Sequence, residues 1–330
     1  MSIVLGIEST AHTFGIGVFN DKKLGRKRLV HSRDVYRPTG EGIVPRKVAD
    51  HHEHVFLPVL KDALAQAGIG LDDVDAIAFS QGPGIGQPLQ FGCAMARYIS
   101  AKTGAVLVPV NHCAAHIEIG MYDAKMKDPL VVYVSGGNTQ LIVKDKMYRV
   151  MGETLDIGMG NLFDVFAMEI GLEYGHGSEL ELLAQKHKNY IAQTPYTVKG
   201  MNVAFGGLLT YAKKHIGKYS REDIAYSVMH NAFAMETEAA ERALCLTKKK
   251  ELLVCGGVAQ NTMFRNMLKT MLVQHKAKLG VPRNEYNADN GAMIAYTGYS
   301  LYKKHGKKAT VPIEKAVPNP RWRIDQVKYL

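Results

Sequence analysis

The sequence predicts an α/β protein built as two lobes. Three observations carry this: a strand–turn–strand unit that occurs twice, short β-branched runs alternating with helical-period stretches, and glycine-rich bends where strands lead into helices. The first unit is Ile3-Val4-Leu5-Gly6-Ile7-Glu8-Ser9-Thr10 running on to Phe14-Gly15-Ile16-Gly17-Val18-Phe19. The second is Pro129-Leu130-Val131-Val132-Tyr133-Val134-Ser135-Gly136-Gly137-Asn138-Thr139 running on to Gln140-Leu141-Ile142-Val143. Each joins two apolar runs through a small, hydroxyl-bearing bend, the pattern of a hairpin. Such repetition points to a duplicated lobe, with residues 1–127 as the first, residues 128–330 as the second, and a cleft between them.

The remaining elements follow in order. Val48 to Ala67 carries Val55, Val59, Leu60 and Leu64 at helical spacing, and Gly68 stops it. Asp75–Ser80 reads as a buried strand that opens through Gln81-Gly82-Pro83-Gly84-Ile85-Gly86 into a helix around residues 90–101, and Val106–Val110 is the next strand. In the second lobe a mostly helical insertion runs over about 161–249. Leu252-Leu253-Val254-Cys255 is a short buried strand ending at Gly256-Gly257, and Asp289 to Leu301 reads as a helix. From Val311 onward Pro312, Pro318 and Pro320 predict an irregular tail over the surface, able to return to the first lobe.

Composition narrows the class. Across 330 residues, 46% are apolar and no apolar run approaches the ~20 residues of a membrane helix. A strand-like run begins at Ile3, so no signal peptide is expected. Cys93, Cys113, Cys245 and Cys255 lie far apart without a C-x-x-C pair, which suits a reducing cytoplasm and excludes a disulfide scaffold. Lys and Arg number 41 against 31 Asp and Glu, a net charge of +10. That excess attracts polyanions such as nucleic acid, and equally serves solubility. The basic runs are Lys22-Lys23 with Arg26-Lys27-Arg28, Lys248-Lys249-Lys250, and Lys303-Lys304 with Lys307-Lys308. None of these runs interleaves aromatic residues as a base-stacking surface would.

Chemistry concentrates in a few places. His112-Cys113-Ala114-Ala115-His116 puts two imidazoles at i and i+4, on one helix face, directly after a predicted strand. The pair can reach one metal ion, or can be structural. Cys113 stands where an H-E-x-x-H protease carries its glutamate base, so that reading loses its base. Two histidines are too few for a held metal. Asp289 sits at a predicted helix start, where it could ligate or merely cap. Tyr133 could equally be a core or edge tyrosine. Ser135-Gly136-Gly137-Asn138-Thr139 offers bare backbone amides of the kind that wrap phosphate oxygens, and Ser9-Thr10 occupies the matching place in the first unit. Gly256-Gly257 with Asn261 opens a helix and could let an adenine lie against backbone, or could be plain helix-start chemistry. Asp164, Gly177 and Glu181 lie between these motifs; ribose contact and an exposed helix surface both suit such carboxylates. No G-x-x-x-x-G-K-[ST] loop is present.

Together these stretches resemble a known family. Val108-x-Val110-Asn111-His112-x-x-Ala115-His116-Ile117, Tyr133 to Gln140, Gly256-Gly257-Val258-Ala259-x-Asn261 and Asp289-Asn290-Gly291-Ala292-Met293-Ile294-Ala295 look like the tRNA threonylcarbamoyladenosine transferases. The opening Leu5-Gly6-Ile7-Glu8-x-Thr10-Ala11-His12-Thr13 resembles the archaeal and eukaryotic branch, the catalytic subunit of the KEOPS complex. The resemblance runs from Ile3 to about Tyr296. It implies an actin/Hsp70-like (ASKHA) fold of two ribonuclease-H-like lobes around a nucleotide cleft. It also implies transfer of a threonylcarbamoyl group from its adenylate to N6 of the adenosine 3′ of the anticodon, in tRNAs reading A-starting codons.

Carried over by position, the resemblance makes His112, His116, Tyr133 and Asp289 the ligands of one divalent metal, iron or zinc. Tyr133, Val134, Ser135, Gly136 and Gly137 would contact the adenylate, Asp164 and Glu181 the ribose hydroxyls, and Gly177 and Asn261 would complete the pocket, which ATP or AMP could also occupy. Tyr174-Gly175-His176-Gly177-Ser178 departs from the family in lacking the two prolines that relatives carry there. Expected partners are tRNA, a separate small protein kinase subunit and other KEOPS subunits, with no membrane. No protein general base is assigned. The alternative is an ATP-dependent kinase or an ATPase scaffold on the same fold. The older label of the family, an O-sialoglycoprotein endopeptidase, fits poorly with Cys113 in the base position.

Overall fold

The computed structural model describes residues 2–23, 28–37, 43–186, 189–191 and 193–328. Arg26 and Lys27 of the first basic run lie outside the described residues. The chain starts with β1 (Ile3–Glu8), β2 (Thr13–Asn20), β3 (Leu29–Val35), α1 (Pro45–Ala67), β4 (Ala76–Gly82), α2 (Gly86–Thr103), β5 (Val106–Asn111) and α3 (His112–Asp123). It continues through β6 (Leu130–Val134), β7 (Thr139–Lys144), β8 (Tyr148–Glu153), α4 (Met159–Glu169), α5 (Gly177–Ala184), β9 (Val198–Lys199), β10 (Asn202–Val203), α6 (Gly206–His215) and α7 (Arg221–Thr247). It ends with β11 (Glu251–Cys255), α8 (Thr262–Gln274), β12 (Lys278–Gly280), α9 (Asn284–Asn287) and α10 (Gly291–His305).

Two compact units result, Met1–Ile119 with Ala288–Leu330, and Gly120–Asn287. In the first, the sheet order is β3-β2-β1-β4-β5. Strands β1, β2 and β3 run antiparallel, while β4 and β5 run parallel to β1. In the second, the order is β8-β7-β6-β11-β12, with β6, β7 and β8 antiparallel and β11 and β12 parallel to β6. Strand for strand the two sheets share one topology. Three of their strands escape the hydrophobic pattern. β3 and β8 are edge strands of mixed polarity, only half buried, and β12 has three residues, so none shows the apolar run of a central strand.

The first unit buries Leu5, Ile7, Phe14, Ile16 and Val18 against Phe56, Val59 and Leu60 of α1 and Cys93, Ala96 and Ile99 of α2. Helix α10 packs on β1, β2 and β4. It begins at Gly291, capped by the Asn290 side chain, so Asp289 lies outside the helix and is not its cap. The tail is pinned to this unit: Val311 N–H donates to the Leu107 carbonyl, Asn319 N–H to Gln81, and the Asn111 amide to the Trp322 carbonyl.

The second unit gathers Phe166, Phe205, Phe233 and Phe264 with Ala225, Ala232, Ala239 and Ala243 in one core. The predicted helical insertion contains the β9–β10 hairpin between α5 and α6. None of the four cysteines is in a disulfide. No described helix is long and apolar enough to cross a membrane.

Candidate metal centre and nucleotide turn

In the first unit, β5 ends at Asn111, whose side-chain oxygen accepts from Ala114 N–H and so starts α3. His112 is the first residue of that helix and His116 follows one turn later on the same face; both are buried. Asp289 meets them, its Oδ1 3.1 Å from His116 Nε2 and 3.6 Å from His112 Nε2. The ligand atoms of these three side chains all lie within 4.8 Å of one another. Two imidazole nitrogens and a carboxylate oxygen suit a divalent transition metal.

Glu8 completes the arrangement from behind. This fully buried carboxylate, at the end of β1, accepts from His112 Nδ1 at 3.0 Å. That bond turns Nε2 toward Asp289, the orientation a metal-ligating histidine needs. Thr10 N–H and Oγ1 both donate to the other Glu8 oxygen, at 2.7 and 2.5 Å. The bend at Ser9-Thr10 is therefore buried and tied to the histidine, not open to phosphate as its likeness to the second bend suggested. Reading the residues alone missed Glu8. Its signal was a carboxylate ending an otherwise apolar strand.

Asp289 reaches this place because α10 approaches the sheet at backbone distance. A Cβ on Gly17 would run into the backbone of Gly291 and Ala292, and one on Gly15 would stand 2.8 Å from Gly291 N. The Asp289 carbonyl also accepts from Arg33 of β3 at 2.9 Å. Burial alone would lower the His112 pKa, but the Glu8 and Asp289 carboxylates outweigh it and raise it to about 9. Burial dominates at His116 and holds it below its ordinary value. Burial would raise Asp289, yet the two imidazoles keep its carboxyl well below the usual range.

In the second unit, β6 leads through Tyr133 and Val134 into the bend Ser135–Asn138. The α4 backbone closes on it, with Gly160 N–H donating to the Ser135 carbonyl and Asn161 N–H to Gly136. Gly136 and Gly137 remain exposed, in a glycine turn of the kind whose backbone amides can wrap phosphate oxygens. Tyr133 is fully buried, its ring close to Gly256. Gly256 takes φ 97°, and a Cβ there would meet the Val134 carbonyl.

The other predicted pocket residues form two linked pairs. Asp164 accepts from Gly177 N–H at 2.8 Å. Glu181 accepts from both N–H and Oγ1 of Thr262 at 3.2 Å, at the α8 start that Asn261 caps through Phe264 N–H. Asp164 on α4 thus holds the start of α5, and Glu181 on α5 holds the start of α8.

Two ribonuclease-H-like units of identical topology, one with a His-His-Asp cluster and one with an amide-bearing turn, define the actin/Hsp70-like class of α/β proteins. Solved structures share the fold. The chain superposes on HypF of T. kodakarensis with TM-score 0.64 at 15% identity over 92% of its length, spanning about half (48%) of that protein. It matches component A of (R)-2-hydroxyglutaryl-CoA dehydratase of Acidaminococcus fermentans with TM-score 0.57 at 15% identity, covering 91% of this chain and 98% of that one.

Sequence relatives are more specific. The family model of TsaD, tRNA N6-adenosine threonylcarbamoyltransferase, matches residues 26–296. Proteins named tRNA N6-adenosine threonylcarbamoyltransferase from Sulfurisphaera tokodaii and Thermococcus sibiricus are 45% and 44% identical, covering 98% and 99% of this chain and 97% and 99% of theirs. A probable bifunctional tRNA threonylcarbamoyladenosine biosynthesis protein of Methanosarcina mazei is 44% identical over 99% of this chain and 59% of its own length. The chain belongs to the tRNA N6-adenosine threonylcarbamoyltransferase family. It is a transferase that places threonylcarbamoyl on tRNA adenosine, and the kinase or ATPase-scaffold alternative is set aside.

Proposed function

We propose that this chain takes the threonylcarbamoyl group from threonylcarbamoyl-adenylate and delivers it to N6 of the adenosine 3′ of the anticodon, in tRNAs reading A-starting codons. The observation that carries the reading is the convergence of His112, His116 and Asp289, with Glu8 orienting His112. Those three side chains would hold one divalent ion, iron or zinc, and the family resemblance adds Tyr133 as a fourth ligand. When bound, the ion supplies Lewis acidity toward the carbonyl being transferred.

The chain's own groups do the rest by binding and orientation. The Gly136 and Gly137 amides would donate to the adenylate phosphate. Asp164 and Glu181 would accept from ribose hydroxyls, and Gly177 and Asn261 would border the same pocket. The substrate is a carbamoyl–phosphate mixed anhydride with AMP as its leaving group. Alignment of the exocyclic amine with that carbonyl therefore accounts for most of the catalysis, and no side chain is assigned as general base.

ATP or AMP would also occupy the adenylate pocket. Its partners would be tRNA, a small protein kinase subunit acting in trans and other KEOPS subunits, in the cytoplasm. The relative named bifunctional, of which this chain covers 59%, supports a further component. Nucleoside mass spectrometry of unmodified tRNA, incubated with the protein, accessory subunits and preformed threonylcarbamoyl-adenylate, tests the reading. Modified adenosine is expected with the wild type and not with His112→Ala. Equal product from both would remove the metal cluster from the mechanism.

A further inference from the structure

The transfer chemistry leaves unused a stack of three rings at the C-terminal end of α6, within the second unit. Tyr211 and His215, one helical turn apart, stack with centroids 4.0 Å apart and planes 24° apart. Tyr219 continues the stack, 5.7 Å from His215 with planes 26° apart. The ladder is built, not incidental. His215 Nδ1 donates to the Tyr211 carbonyl at 2.8 Å, which fixes the imidazole plane. Lys218 N–H donates to the His215 carbonyl, and Gly217 at φ 83° makes the left-handed step that folds Tyr219 back over the ring. Tyr219 itself remains 47% exposed, so the outermost layer of the stack ends in solvent.

Its surroundings are basic. Lys214, Lys218 and Arg221 are exposed beside it. Lys213 is paired with Glu169, while Glu222 and Asp223 occupy the first turn of α7, where they favour the helix N-terminus. The position also matters. The Asp156 carboxylate accepts from Phe205 and Gly206 N–H at 2.8 and 2.7 Å, tying the start of α6 to the loop whose Gly158 packs on Gly136 and Gly137. Helix α6, about 15 Å long over its ten residues, therefore starts beside the loop that packs on the glycine turn and carries the ladder at its other end.

We propose that Tyr211, His215 and Tyr219 form a base-stacking platform for an unpaired nucleotide of the RNA substrate. The outer face of Tyr219 takes the base, and Lys214, Lys218 and Arg221 take the flanking phosphates. A stacked aromatic series edged by cations is the arrangement that binds single-stranded nucleic acid without reading its sequence. The inference rests on tRNA as the substrate and adds which surface receives it.

The test compares Tyr219→Ala and Tyr219→Phe with the wild type in the full chain. It measures Kd for an unmodified tRNA transcript and for a single-stranded RNA of its anticodon loop, and KM and kcat for transfer with accessory subunits present. Loss of one stacked base raises Kd and the tRNA KM by about 5- to 150-fold in Tyr219→Ala. The Tyr219→Phe protein stays within about twofold, and kcat at saturating tRNA is kept. Unchanged Kd in Tyr219→Ala overturns the platform, as does a Tyr219→Phe protein as weak as Tyr219→Ala, because stacking does not need the hydroxyl. A wild type that forms modified adenosine with no dependence on Tyr219 leaves the transfer reading intact and removes the platform. Tyr219-dependent RNA binding without any modified adenosine does the reverse.

Discussion

Glu8 Oε2 and His112 Nδ1 stand 3.0 Å apart across 104 positions of sequence, and neither is open to solvent. The bond settles which nitrogen of His112 faces Asp289 and His116. It places the end of the first strand of the sheet in direct contact with the first residue of the helix that carries both imidazoles.

Glu8→Gln preserves shape but removes the charge behind His112. Outer-shell partners of this kind typically change metal affinity by 10- to 100-fold, so a loss on the order of tenfold or more is expected. Competitive titration of zinc against a chelator measures it. An affinity equal to the wild type would mean that His112 is oriented by packing alone.

Tyr133→Phe tests the fourth ligand. If the phenolate reaches the ion, iron(III)-loaded wild-type protein carries a visible phenolate-to-iron absorption band that Tyr133→Phe lacks, while His116→Ala loses bound iron altogether. A band that survives in Tyr133→Phe would exclude Tyr133 from coordination.

Gly17→Ala attacks the centre without touching a ligand. The added Cβ forces α10 away from β2, and with it Asp289, which precedes that helix by two residues. Overpacking of this sort costs about 1–3 kcal/mol. A lowered Tm together with weakened metal binding is expected. Unchanged metal affinity in a destabilised protein would show that Asp289 is held by Arg33 and not by the helix.

Glu236 gives a pH-dependent prediction remote from the site. It is buried in the middle of α7, its Oε1 finds no hydrogen-bond partner among the described residues, and burial raises its carboxyl from the ordinary 4.5 to about 8. Between those two values the unfolded chain is ionised while the folded one stays neutral, so stability falls as pH rises from about 4.5 to 8 and is level beyond. At pH 7 the loss is about 3 kcal/mol. Glu236→Gln removes the titration. Thermal unfolding across this range should show the variant gaining on the wild type as pH rises, with no change in relative Tm counting against the burial cause.

The helical period of α1, the hairpin repeat and the i,i+4 histidine pair were legible because each is a property of one local element. The edge strands β3 and β8 were not, since a half-buried strand of mixed polarity leaves no apolar run. The aromatic ladder escaped for a related reason. Its rings are four positions apart through a helix end and a glycine turn, and only the closed geometry of that turn makes them a stack.

By itself the sequence determined two copies of a hairpin-led α/β unit, two imidazoles on one helix face, a glycine turn with spare amides, and a family signature along most of the chain. The resemblance already named Asp289 beside the imidazoles, while tertiary structure alone added Glu8 and decided how Asp289 gets there. Asp289 arrives from 173 positions away because glycine surfaces let α10 settle against the sheet, and Asn290, not Asp289, caps that helix. Periodicity reports which face of an element is apolar. Which elements then face each other depends on sheet order and on how closely two backbones can approach, and those are properties of the folded chain.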